Sequence, residues 1–147
     1  SHHRNAIGFG RALRHRFRDE ASRLVARVGL ADAADHATAA LAYGDLKRLE
    51  VAVAMTNAPA LLLMDEPTAG MAGDGRGAMM ALGDDLVARE GVAVLFTEHD
   101  MDVVFGHADR VIVLDRGRVI AQGDPETVRR DETVRAVYLG DFDEGAS

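Results

Sequence analysis

The run Leu61-Leu62-Leu63-Met64, followed at once by Asp65-Glu66-Pro67, constrains this chain more than any other stretch. Four consecutive apolar residues bounded by turn signals read as a buried strand. The two carboxylates fall where that strand ends, and in an open α/β sheet ligands bind at the carboxyl ends of the strands. One carboxylate there suits a hydrated Mg²⁺, which gives up its waters reluctantly. Its neighbour suits the polarising of a water molecule. Taken alone, Asp-Glu-Pro serves equally well to end a strand and cap a helix. The surrounding residues separate the two readings.

Three further elements stand around the run in a fixed order. Upstream lies Leu41-Ala42-Tyr43-Gly44-Asp45, leading into Leu46 to Met55. Its Gly-Asp pair would begin a helix, whose N-terminus offers unpaired N–H groups and the positive end of a dipole to a phosphate. Without its context, the same pair reads as an Asp-capped core helix. Downstream comes the glycine-containing loop Ala69-Gly70-Met71-Ala72. Last comes a second apolar strand, Val92 to Thr97, followed by Glu98-His99-Asp100. A lone histidine at a strand end is most often structural, yet an imidazole there can also hydrogen-bond a phosphate.

In this order the motifs resemble those of an ATP-binding cassette (ABC) transporter ATPase. Leu41 to Asp45 is similar to the family's signature motif and Leu61 to Glu66 to its Walker B strand. Ala69 to Ala72 is similar to its D-loop and His99 to its switch histidine. The wording Leu-Ala-Tyr-Gly, the run Glu98 to Met101 and the ending Val137-Tyr138-Leu139-Gly140 look most like ATPases of branched-chain amino-acid importers. The resemblance runs from about residue 15 to residue 141.

It implies a role for each motif. Asp65 would bind Mg²⁺ through water, and Glu66 would orient the water that attacks the γ-phosphate of ATP. Phosphoryl transfer needs chiefly positioning and charge neutralisation, so a carboxylate within reach suffices. Ala42, Tyr43, Gly44 and Asp45 would address the ATP held by a second subunit, with Ala69, Gly70, Met71 and Ala72 forming the D-loop. His99 would sense the γ-phosphate, while His107 reads as structural. The chain also departs from the family pattern. Ala42 replaces the usual signature serine and Asp45 the usual glutamine, both changes shared with the amino-acid importer branch. Ala72 stands where a polar D-loop residue is common, and Val53 where an arginine is.

No G-x-x-x-x-G-K-S/T occurs, and Lys47 is the sole lysine. The phosphate-cradling loop is therefore not in this sequence, nor is the family's glutamine loop. The expectation is the C-terminal portion of an ABC ATPase, inactive in hydrolysis by itself. The expected fold class is α/β: the C-terminal part of a P-loop NTPase (RecA-like) ABC ATPase domain with a parallel sheet, plus a helical signature subdomain. Residues 1–58 would form that helical subdomain, and residues 59–147 the C-terminal half of the ATPase core. The resemblance implies a head-to-tail dimer with a second ATPase subunit, membrane-spanning permease subunits as partners, and a place at the cytoplasmic face of the plasma membrane. Two alternatives stay open: a degenerate, non-catalytic binding partner, and the ATPase of a lipopolysaccharide-export or urea system.

Composition sets bounds on the rest. The chain has 147 residues, enough for one domain with a real core. It has no cysteine, hence no disulfide framework and no zinc–thiolate site. Its longest apolar runs are too short to span a bilayer. Ser1-His2-His3 reads as a purification-tag remnant. Net charge is −7, which makes a poor general nucleic-acid binder. Positive charge gathers early, with seven arginines in residues 4–27, most simply a solvated or partner-docking face.

Local patterning predicts helices over residues 12–28, with Phe17, Ala21, Leu24, Val25 and Val28 on one face, and over 45–57, with Leu46, Leu49 and Val53 in a stripe. It predicts a helix over 75–90 capped by Asp74 and stopped by Gly91, and a short one over 101–105. Strands are expected at 60–65, 92–97, 110–114 and 119–121, the last two joined by a turn at 115–117. Asp124-Pro125 and Asp131 would open the final helices. Removal of strands that neighbour residues 60–65 would leave a sheet edge that pairs with another chain, so self-association is expected.

Overall fold

The computed structural model describes residues 16–139. They pack as two compact units, one ending at Phe96 and the other beginning at Thr97.

The first unit opens with helix α1, residues 16–27, so the expected start at residue 12 lies outside the described residues. Gly29, at φ 73°, ends it as expected. Two 3₁₀ turns, Ala31–Ala33 and Thr38–Ala40, lead to helix α2, Tyr43–Ala54, extended by a 3₁₀ turn to Asn57. This helix starts two residues earlier than its apolar pattern predicts. Gly44 and Asp45 are therefore inside the first turn. Its buried face also differs from the expected stripe. Val51, Ala52 and Met55 are buried, whereas Val53 is 63% exposed. The stripe that packs is the one turned toward Val28, Leu30, Leu62 and Met79, which share its core.

Strand β1, Leu61–Asp65, is followed by helix α3, Gly73–Glu90, and strand β2, Ala93–Thr97. The two strands pair. The Ala93 amide donates to the Ala60 carbonyl at 3.0 Å, which joins the beginnings of both strands and makes the pair parallel. α3 is the crossover. Its N-cap is Ala72, not Asp74, and Asp74 sits in the first turn, where a carboxylate still favours the helix dipole. Its end matches the expectation. Gly91 adopts φ 66°, its amide donates to Val87, and the Val92 amide reaches back to Leu86. Met79, Met80 and Leu86 of α3 are buried. Arg27 of α1 and Glu90 of α3 form an ion pair.

The strands are not buried on both faces. Leu62 is buried, but Leu61, Leu63 and Leu95 are 51%, 67% and 56% exposed. The apolar run predicts a strand covered twice, as parallel strands are. The described residues cover it once.

The second unit begins with Thr97, the last residue of β2, and its first helix is α4, Met101–His107, capped by the Asp100 carboxylate, which accepts from the Asp102 and Val103 amides. Strands β3, Val111–Asp115, and β4, Arg118–Gly123, form an antiparallel hairpin. Their two-residue turn, Arg116-Gly117, has φ 46° and 76°, the sign combination that matches the twist of paired strands. A register irregularity between Val113 and Leu114 bulges Ile120 out of the ladder. The two strands and the turn between them match the expectation for 110–114 and 119–121. Helix α5, Pro125–Arg130, is capped by Asp124, and helix α6, Glu132–Val134, by Asp131, both as expected. A π-helical turn, Arg135–Leu139, follows. Val128 and Val134, together with Val111 and Val113, form this unit's core.

Candidate functional site

The site is built where β1 stops. Asp65 closes the strand and is exposed, as is Glu66 beside it. Glu66 has φ 44°, in the left-handed region that a side chain with a Cβ enters only at a cost. That reversal sends Pro67 and Thr68 into the interior, where Thr68 is 4% exposed. Two turns then follow at once. The Ala69 amide donates to the Glu66 carbonyl and the Met71 amide to the Thr68 carbonyl, both at 3.1 Å. Gly70 takes φ 74° between them. The two carboxylates therefore stand on the rim of a tightly folded loop anchored by buried residues.

That loop lies against the start of α2. A Cβ on Gly70 would come within 3.5 Å of the Tyr43 ring, and one on Gly44 within 3.9 Å of the Met71 sulfur. Both distances are ordinary van der Waals contacts, so the two segments touch, and glycine is favoured at Gly70 by its positive φ. Together the two segments enclose a hollow of about 290 Å³, lined by Ala42, Tyr43, Gly44, Asp45, Gly70, Met71 and Ala72. So the structure brings together four of the five residues of the upstream motif, all but Leu41, and three of the four residues of the downstream loop. The missing loop member, Ala69, is half-buried. The N-cap residue Ala42 has extended backbone and offers no side-chain cap. The amides of the first α2 turn have no intrahelical acceptors, the feature that makes a helix start attract anions.

Asp45 forms an ion pair with Arg48 one turn further on. Sequence reasoning passed over Arg48, although an Asp–Arg spacing of three on a helix was a legible signal. It also missed the Met71 contact, which only tertiary packing creates. Lys47 points elsewhere. It bonds Glu50 at 3.1 Å and lies 5.9 Å from the centre of the Tyr43 ring. The Glu50 hydrogen bond and charge hold its pKa above the ordinary 10.5.

His99 follows β2 as expected and is exposed, immediately before the Asp100 cap of α4. It belongs to the second unit. His107 closes α4. Among the described residues no three His, Asp or Glu side chains gather as a metal-binding cluster. A single exposed carboxylate at Asp65 fits a cation that keeps most of its own water, as Mg²⁺ does, rather than a dehydrated ion. A larger hollow of about 480 Å³ lies between α1 and α2, but no motif residue lines it. Its walls are chiefly apolar, including Phe17, Leu24, Val25, Leu49 and Val53.

Comparison with known proteins gives these motifs a class. Residues 2–69 match the family model described as "ABC transporter", and residues 118–144 the one described as "Branched-chain amino acid ATP-binding cassette transporter". The chain belongs to the ABC transporter ATPase family, and its mixed helix and sheet fold with parallel strands is that of ATP-binding cassettes. Within that class its relatives include branched-chain amino-acid transport proteins. It is 37% identical over 123 residues to the high-affinity branched-chain amino acid transport ATP-binding protein LivG of Escherichia coli, covering 84% of this chain and 48% of that one. It is 37% identical over 114 residues to BraF of Pseudomonas aeruginosa, described in the same words, covering 78% and 45%. Among solved structures it matches cbiO1 from Clostridium perfringens, part of an ABC transporter complex, with a TM-score of 0.73 and 32% identity over 86% of this chain and 51% of that one. It also matches the ADP conformation of an ATP-binding cassette with a TM-score of 0.75 and 28% identity, over 83% and 49%. The chain therefore spans about half the length of the relatives it matches.

Proposed function

We propose that this chain supplies the Walker B and signature portion of an ATP-hydrolysing subunit of an ABC importer for branched-chain amino acids. One observation carries the reading. The signature turn and the loop after the Walker B strand are packed into a single hollow, with Asp65 and Glu66 at the root of that loop. The turn that would contact nucleotide thus lies against the loop that follows the carboxylates.

In this reading Asp65 holds Mg²⁺ through water, and the ion supplies charge neutralisation at the phosphates. Glu66 orients the attacking water, and His99 hydrogen-bonds the γ-phosphate. The first-turn amides of α2, at Gly44 and Asp45, receive the phosphate of an ATP cradled by a second subunit. Ala69 to Ala72 meet that subunit across a head-to-tail dimer. Residues 1–58 act as the helical segment and 59–147 as part of the ATPase core. Permease subunits dock on the helical segment, a role supported by its apolar groove and by exposed Phe17. The subunit works at the cytoplasmic face of the plasma membrane. No helix among the described residues is long and apolar enough to cross a membrane. By itself the chain hydrolyses no ATP, because no lysine-bearing phosphate loop is in its sequence.

Uptake of radiolabelled leucine by cells whose chromosomal copy carries Glu66→Gln tests the cargo and the mechanism together. The expected result is loss of high-affinity leucine uptake with urea uptake and lipopolysaccharide display intact. Normal leucine uptake with loss of either of the others would overturn the cargo.

A further inference from the structure

Asp45 is the third residue of α2, in the turn whose amides face the proposed phosphate site. A carboxylate there suits the helix dipole but repels a phosphate brought to the same place. Arg48 answers that conflict. Its guanidinium pairs with Asp45 through Nη2 and donates through Nη1 to the Val28 carbonyl at 3.4 Å. Val28 lies at the end of α1, where carbonyls carry the negative end of that helix's dipole. The arginine is thus held between two negative partners from different segments. Gly29 keeps the space open, since a Cβ there would come within 3.1 Å of Arg48 Nη1. Both members of the pair are substantially shielded, with side-chain exposures of 25% for Arg48 and 30% for Asp45, and both line the hollow. The pair formed next to it by Lys47 differs, because its Glu50 is 64% exposed.

We infer that Arg48 is the charge-compensating and positioning residue of the signature turn. Anchored on the Val28 carbonyl, it draws the Asp45 carboxylate toward the second turn of α2 and neutralises it, so that the turn can accept a nucleotide phosphate. The inference rests on the ATPase reading above and deepens it.

The test is steady-state hydrolysis by the whole subunit carrying its phosphate loop, with Arg48→Met, Asp45→Asn and the double variant compared. Arg48→Met leaves an uncompensated carboxylate and is expected to raise KM for MgATP about tenfold, with a much smaller effect on kcat. The double variant is expected to recover most of that loss, because the repelling charge is gone. High salt is expected to shrink the Arg48→Met defect, since it screens a partly exposed charge. Arg48→Lys keeps charge but loses the two-pronged geometry, and an intermediate KM is expected. A residue that merely braced α2 through Val28 would leave the double variant as impaired as Arg48→Met, and that result would overturn the inference. An unchanged KM in Arg48→Met would do so too. Glu66→Gln in the same assay separates the two failures. Hydrolysis that survives it removes the ATPase reading, whereas hydrolysis that dies with it, beside a wild-type KM in Arg48→Met, removes the inference alone.

Discussion

Glu66 sits at φ 44° although it carries a Cβ, and an unfavourable backbone at a proposed catalytic carboxylate is where stability and function pull apart. Glycine enters that region freely. Glu66→Gly is therefore expected to stabilise the chain by about 1 kcal/mol while removing the carboxylate that orients water. Urea unfolding of the 147-residue chain measures the first effect, and a lowered midpoint would contradict it. The place of this residue at the end of a strand was legible in the sequence, because the acid pair directly follows an apolar run. Its strain was not, since nothing in Asp-Glu-Pro announces a left-handed residue. Arg48 was half legible. Its spacing from Asp45 follows helix geometry, but its bond to Val28 spans 20 residues and belongs to the packing of α1 on α2.

At the scale of elements, the punctuation of the chain was its most readable part. Gly29, Gly91, the Arg116-Gly117 turn and the caps Asp124 and Asp131 each do locally what their residue type dictates. These are short-range effects, settled within one turn of chain. Helix starts read less well. α2 begins at Tyr43 and α3 at Gly73, each earlier than expected, because Ala42 and Ala72 serve as N-caps without the polar side chain that marks one. Asp124 allows a test of a cap. Its carboxylate is hydrogen-bonded by the Thr127 hydroxyl at 2.7 Å and by the Thr127 amide at 2.9 Å. The side-chain bond, then the backbone bond, lowers its pKa below the ordinary 3.8. A folded-state pKa below the unfolded one contributes stability that is full above the unfolded value and is lost as pH falls through the folded value. The cap's contribution is therefore expected to persist at pH 7 and to fade below pH 3.8. Thermal unfolding of wild type and Asp124→Ala should converge as pH drops through that range. A difference that stays constant from pH 7 to pH 2.5 would contradict it.

The whole molecule explains why buried strands were expected and half-exposed ones are observed. A sequence records how apolar a strand is, but the covering of its second face depends on elements elsewhere, and the chain matches only about half of each relative. Leu61, Leu63 and Leu95 form an apolar patch on a sheet of two strands. Such a face and its open edges favour association with another chain. The isolated chain is expected to self-associate in sedimentation experiments. Leu63→Lys, at a residue 67% exposed, should weaken dimerisation without unfolding the chain, by roughly tenfold for the loss of one buried leucine. A strictly monomeric wild type would contradict the expectation.

The same division of labour sets the decisive measurement. In the proposed reading this chain carries two carboxylates and a signature turn, and hydrolysis needs a phosphate loop that its sequence does not hold. MgATP hydrolysis should be measured for the chain joined in frame to the part of its Escherichia coli relative that it does not match, with and without Glu66→Gln. The account predicts hydrolysis by the joined protein, none by the chain alone, and a loss of at least about a hundredfold with Glu66→Gln. Hydrolysis indifferent to Glu66→Gln, or a folded joined protein that binds MgATP without hydrolysing it, would contradict the account.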